Sequence, residues 1–174
     1  FGDWSSDVCS SDLEEDVLVT ISHAGYIKRM PVDTYRRQRR GGKGVQGGGM
    51  RDEGEDFIEH MFLASTHDYI LFFTNKGRVY WVKAYDVPQA SRQARGKAIV
   101  NLLAMSNDEK IASYLQVSEF DDKHFVMMFT REGVVKKTNL SAYSHPRTTG
   151  INAITLKGKD VLIACKLTTG KDEI

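Results

Sequence analysis

Cysteine, long apolar runs and net charge are all scarce in this chain, and each shortage excludes a class of protein. Only Cys9 and Cys165 occur and the five histidines are scattered, which excludes a disulfide framework and offers no zinc-ligand spacing. Cys165 lies inside Val161-Leu162-Ile163-Ala164-Cys165 and reads as a buried strand residue. No apolar stretch approaches the ~18 residues of a membrane-spanning helix. The N-terminus lacks the basic segment followed by an apolar one that marks a secretory signal. Asn139-Leu140-Ser141 therefore reads as a chance match to a glycosylation acceptor, and a cytoplasmic protein is the default. Net charge is +1 over 174 residues, with 41% hydrophobic and 27% charged residues, proportions ordinary for a chain that buries a real core.

The low net charge conceals an uneven distribution. Between Tyr26 and Arg51 stand Lys28, Arg29, Arg36, Arg37, Arg39, Arg40, Lys43 and Arg51 against one acid, Asp33. Asp52, Glu53, Glu55, Asp56 and Glu59 follow at once, a run that reads as a solvated loop. The densest stretch is Gln38-Arg39-Arg40-Gly41-Gly42-Lys43-Gly44. Arginine forks match phosphate oxygens bidentately, lysine adds a mobile point charge, and glycines let backbone N–H groups approach closely. A charge run by itself is a solvated face. With glycines interleaved it reads as a phosphate-binding loop, and the basic half as a candidate nucleic-acid surface.

Residues 1–13 stand apart. Asp3 to Leu13 back-translates codon for codon into a common sequencing-library adapter, so 1–13 is read as a non-native, disordered leader on a fragment truncated upstream.

One pattern then recurs three times: an apolar strand, a turn ending in glycine, and a mixed apolar/basic strand. The copies are Val17 to Arg29, Ile70 to Tyr80 and Phe125 to Lys137. Their turn glycines Gly25, Gly77 and Gly133 are 52 and 56 residues apart, and each copy reads as a hairpin whose glycine takes a left-handed backbone. Gly44, Gly96 and Gly150 follow those glycines by 19, 19 and 17 residues. A further apolar segment closes each unit: Phe57 to Thr66, Lys110 to Val117 and Val161 to Thr168. Units 14–66, 67–118 and 119–174, all strand-like and about fifty residues long, suit propeller-type blades of about four strands. The period alone leaves tandem SH3-like barrels open. Tyr26, Phe72, Phe73, Tyr80, Trp81 and Phe129 read as core or inter-blade packing.

The polar loop between the two glycines is basic in each unit but thins along the chain. Tyr35 to Gly44 is followed by Ser91-Arg92-Gln93-Ala94-Arg95-Gly96-Lys97, and then by His145 to Gly150 with only Arg147. On one rim these loops would form a curved cationic track for duplex. Arg92, Arg95 and Lys97 join the first loop as candidate contacts. For Arg147 and the hairpin cations Lys28, Arg29, Lys76, Arg78, Lys136 and Lys137, a solvated strand edge is an equal reading.

The stretch Gln38–Gly44 resembles the signature box of the C-terminal domain of the DNA gyrase A subunit. The similarity extends over essentially Glu14 to Ile174, through Glu15-Asp16-Val17, Thr66-His67-Asp68, Arg78-Val79-Tyr80, Ala94-Arg95-Gly96 and Ile99 to Leu103. The resemblance implies an all-β fold, a β-pinwheel of propeller-like four-stranded antiparallel blades, with about three blades of a six-blade domain present. It implies a non-catalytic module that wraps double-stranded DNA with positive handedness for negative supercoiling in the bacterial cytoplasm. Arg36, Arg37, Gln38, Arg39, Arg40, Gly41, Gly42, Lys43, Gly44, Arg92, Arg95 and Lys97 are the expected contacts. The implied partners are the N-terminal region of the gyrase A protein and gyrase B in an A2B2 holoenzyme. ATP, Mg and the cleavage tyrosine belong to parts outside this chain, so no cofactor is assigned to it. The related domain of topoisomerase IV carries a degraded box. A protein-interaction propeller is the other alternative.

Overall fold

The computed structural model describes residues 14–32, 56–106 and 108–172. Three antiparallel hairpins form its frame: β1 (Asp16–Ser22) with β2 (Tyr26–Pro31), β4 (Tyr69–Thr74) with β5 (Arg78–Lys83), and β8 (Phe125–Thr130) with β9 (Val135–Asn139). A longer strand closes the other side of each: β3 (Ile58–Ser65), β7 (Ile111–Val117) and β11 (Leu162–Thr168). The only α-helical piece among the described residues is the single turn α1 (Ile99–Leu102).

Turn chemistry sets the hairpins. Gly25, Gly77 and Gly133 have φ of 82°, 77° and 84°, the left-handed region that glycine enters without a Cβ penalty. Three residues before each stands a hydroxyl residue, Ser22, Thr74 or Thr130. Its carbonyl accepts the glycine N–H, and its Oγ accepts the next N–H, from Tyr26, Arg78 or Val134, at 3.1, 3.3 and 3.0 Å. That hydroxyl recurs in the sequence as visibly as the glycine does, and it locks the register of each hairpin.

The sheets do not respect the boundaries of the repeats. A two-residue strand β6 (Lys97–Ala98) of the second repeat pairs with β2 of the first, and β10 (Ile151–Asn152) of the third pairs with β5 of the second. Sheet orders are therefore β3-β1-β2-β6, β10-β5-β4-β7 and β11-β8-β9, two four-stranded blades and one three-stranded. Gly96 and Gly150 stand immediately before the exchanged strands with φ of 89° and 68°. A Cβ on Gly96 would fall on the Ile27 carbonyl, and one on Gly150 would lie 2.8 Å from the Val79 carbonyl oxygen and 2.7 Å from the Tyr80 ring. The second glycine series thus marks where one repeat crosses onto the edge of the preceding blade.

The middle blade is sandwiched. Ile70, Leu71, Phe72 and Phe73 are each 0% exposed, because successive side chains enter two different cores. Ile70 and Phe72 pack with Val17, Val19, Ile21 and Ile27 of the first blade. Leu71 and Phe73 pack with Val126, Met128, Leu162 and Cys165 of the third. At about 1.5–3 kcal/mol for each fully buried large apolar side chain, this stacking outweighs any single hydrogen bond in the sheets. Phe72, Phe73 and Tyr80 are core residues as expected, and the Cys165 thiol, pushed up to about 12 by burial, is a packed strand residue. The second and third blades approach along β7 and β11, where Ser113 Oγ donates to the Cys165 carbonyl at 3.3 Å. In the first two sheets the exchanged strands lie at the edge opposite β3 and β7.

Candidate nucleic-acid interface

Gln38–Gly44, with Arg36 and Arg37, lies outside the described residues. Of the acidic run, Asp56 accepts the Ala24 N–H at the first hairpin turn (2.9 Å) and Glu59 lies on β3. The first described stretch of the basic track, Val87 to Ala98, runs along the edge of β2 after a 3-10 turn at Ala84–Asp86. Its backbone is tied down throughout. Arg29 N donates to Pro88 O (3.0 Å) and Arg29 O accepts from Ala90 N (3.1 Å). Arg29 Nε donates to Val87 O (2.7 Å). Lys28 Nζ donates to Ser91 O, Arg92 O and Ala94 O at 3.2, 2.8 and 2.7 Å. Ile99 N closes the run on Gly25 O (2.9 Å).

Lys28 corrects one expectation. It is 5% exposed, so it is neither a solvated edge cation nor a phosphate contact. Its three N–H groups match the three carbonyls, and burial holds its pKa below the ordinary lysine value. The structure leaves Arg95 and Lys97 exposed, while Arg92 is half-buried with its Nε enclosed. The Arg95 guanidinium lies 5.1 Å from the centroid of the Tyr26 ring, a cation–π contact that restricts it while leaving it at the surface. The three candidates of this loop therefore stand together on one sheet edge.

The third repeat's loop, 144–150, occupies the same position on the edge of β5 with different fastenings. Trp81 Nε1 donates to Tyr143 O (2.9 Å), and the Arg78 guanidinium donates to Thr149 O. Arg78 Nε also lies 3.8 Å from a carboxylate oxygen of Glu109, whose side chain is only 1% exposed. Glu109 accepts from the Tyr80 hydroxyl (2.8 Å) and from Ser106 N (3.1 Å). Arg147 is exposed. Several other hairpin cations are engaged within the chain: Lys76 with Asp108, Lys136 Nζ with Ala153 O (2.6 Å), and Lys137 4.0 Å over the Phe125 ring. None of this was legible from charge alone, because a clamping cation and a solvated one look identical in sequence.

Stacked antiparallel blades that exchange edge strands, with cationic loops along the exchanged edge, define a propeller-type repeat domain of the β-pinwheel kind. A family model described as "DNA gyrase C-terminal domain, beta-propeller" matches residues 16–65, 68–118 and 124–169, and the chain belongs to that family. It is 48% identical to the A subunit of DNA gyrase from Haemophilus influenzae over 172 residues, 98% of this chain and 19% of that protein. The chain spans about one-fifth of the length of the curated relatives it matches. Among solved structures, it resembles the C-terminal domain of DNA topoisomerase IV with TM-score 0.75 and 29% identity, over 91% of this chain and 47% of that one. A DNA gyrase A C-terminal domain shares the fold with TM-score 0.63 and 22% identity, over 88% and 48%.

Proposed function

We propose that this chain is the DNA-wrapping part of a DNA gyrase A protein. Duplex lies along the edge that carries the exchanged strands, gripped through phosphates by Gln38–Gly44 with Arg36 and Arg37, and by Arg92, Arg95 and Lys97. The observation that carries the reading is the loop 87–98, tied along β2 with Arg95 and Lys97 exposed, at the sheet position that loop 144–150 occupies in the next blade. Phosphate contacts of this kind ignore sequence and release counterions, so affinity falls with a log–log salt slope near −0.9 per contact. Bending a site of a few turns costs on the order of 1–6 kcal/mol, which several loops on a curved edge can offset and one cannot.

In this reading the module is non-catalytic. Strand cleavage, ATP and Mg are assigned to gyrase B and to the rest of the gyrase A protein in the bacterial cytoplasm, and the outcome is negative supercoiling. The test is to replace Gln38–Gly44 by alanines in the intact enzyme. Negative supercoiling is expected to disappear while DNA cleavage and relaxation persist; unchanged supercoiling overturns the role of the box. A second reading, the corresponding domain of topoisomerase IV, is favoured by the resemblance to its solved structure. Closed circular DNA bound by the chain and relaxed by a topoisomerase separates the two, since wrapping leaves trapped positive writhe and simple binding leaves none.

A further inference from the structure

We propose that Lys28 of the first repeat is a positioning residue for the grip of the second: its ammonium moulds loop 87–96 so that Arg92 and Arg95 are presented to phosphate. The proposal rests on the DNA-binding reading above and adds to it a residue that touches no DNA. Lys28 is 5% exposed, and each of its three hydrogen bonds runs to a carbonyl of the loop, at Ser91, Arg92 and Ala94. Taking an ammonium out of water is unfavourable unless it is fully hydrogen-bonded. Without a donor at this position the three loop carbonyls would lose their shared partner, so the amine fixes one conformation of the loop. Arg29 fixes the loop's start through Val87 O, and Tyr26 limits the reach of Arg95. A loop ordered before binding loses less freedom when duplex arrives. Tyr26, Lys28 and Arg29 of one blade thus form a mould for the contacts of the next. Loop 144–150, with Arg147 as its one arginine, is fastened by Trp81 and Arg78.

A double-mutant cycle on the full chain tests this, with duplex titration at low salt. Lys28→Met is expected to weaken binding about fivefold in the parent chain, and to have no further effect once Arg92→Ala and Arg95→Ala are present. Hydrogen exchange at residues 90–96 should rise in Lys28→Met while exchange in β4 stays unchanged. Lys28→Arg should restore part of the lost affinity. Lys28→Gln, which keeps two donors and drops the charge, gives the same readout if the methionine variant unfolds. Additive losses in the cycle overturn the proposal, because they mean that Lys28 acts on DNA or on the whole fold independently of the loop. Unchanged affinity in Lys28→Met and Lys28→Gln, with Arg92→Ala/Arg95→Ala weakened, also overturns it and leaves the DNA reading standing. Full binding by Arg92→Ala/Arg95→Ala removes the DNA reading of the loop itself.

Discussion

The edges of the first and second blades carry the same backbone device with different side chains. In both, a glycine with positive φ crosses onto the preceding blade and a two-residue strand pairs there. On the first edge the incoming loop is held by Lys28 and Arg29; on the second, by Trp81 and Arg78. Arg29 and Trp81 each stand four residues after their hairpin glycine, and each donates to a carbonyl near the start of the next loop. Strand exchange therefore depends on glycine geometry and register, while the charge displayed on the edge can vary from loop to loop.

Breaking the shared device gives the largest effect. Gly96→Ala combines a strained φ of 89° with a Cβ on the Ile27 carbonyl, and should lower stability by about 2–4 kcal/mol. Gly25→Ala, where nothing lies within 4 Å of the added Cβ, should cost only the left-handed strain, about 1–2 kcal/mol. Urea denaturation of the two variants measures the difference, and equal losses would mean that close approach at the crossing is unimportant. Next comes the charge contrast. Arg92→Ala/Arg95→Ala should reduce the salt slope of duplex binding by up to about 1.8, and Arg147→Ala by no more than about 0.9. Salt titrations showing the reverse order would reverse the ranking of the edges.

A smaller effect probes the neutral fastening. Trp81→Phe removes the Nε1–H donated to Tyr143 O and should cost about 1 kcal/mol, read from the shift in denaturation midpoint, with the salt slope unchanged. The smallest lies away from both edges. The side-chain hydrogen bond to His124, helped by the backbone N–H groups of His124 and Lys123, holds the Asp121 carboxyl below its ordinary range against the opposing effect of burial. Because the folded-state pKa is depressed, the contribution is complete above the ordinary carboxylate pKa and is lost as pH falls through the depressed one. Acid titration followed by NMR should place Asp121 higher in His124→Ala; an unmoved titration excludes the pairing as the cause.

The repeat was legible because glycine enters positive φ without a Cβ penalty, so Gly25, Gly77 and Gly133 stand out in any register. The Gly96 and Gly150 series was equally visible, yet its purpose was not: the backbone each approaches lies in the preceding repeat, and sequence spacing carries no record of a contact that distant. The hydroxyls Ser22, Thr74 and Thr130 carried a signal that charge and apolarity patterns pass over.

Sequence alone determined the three-fold repeat, the hairpins and the thinning of cations along the chain, because turn geometry and strand apolarity act locally. Tertiary structure alone decided which cations clamp and which face outward. Lys28 and Arg95 are both basic, and only the packing of one repeat's loop against another's strand buries the first and exposes the second.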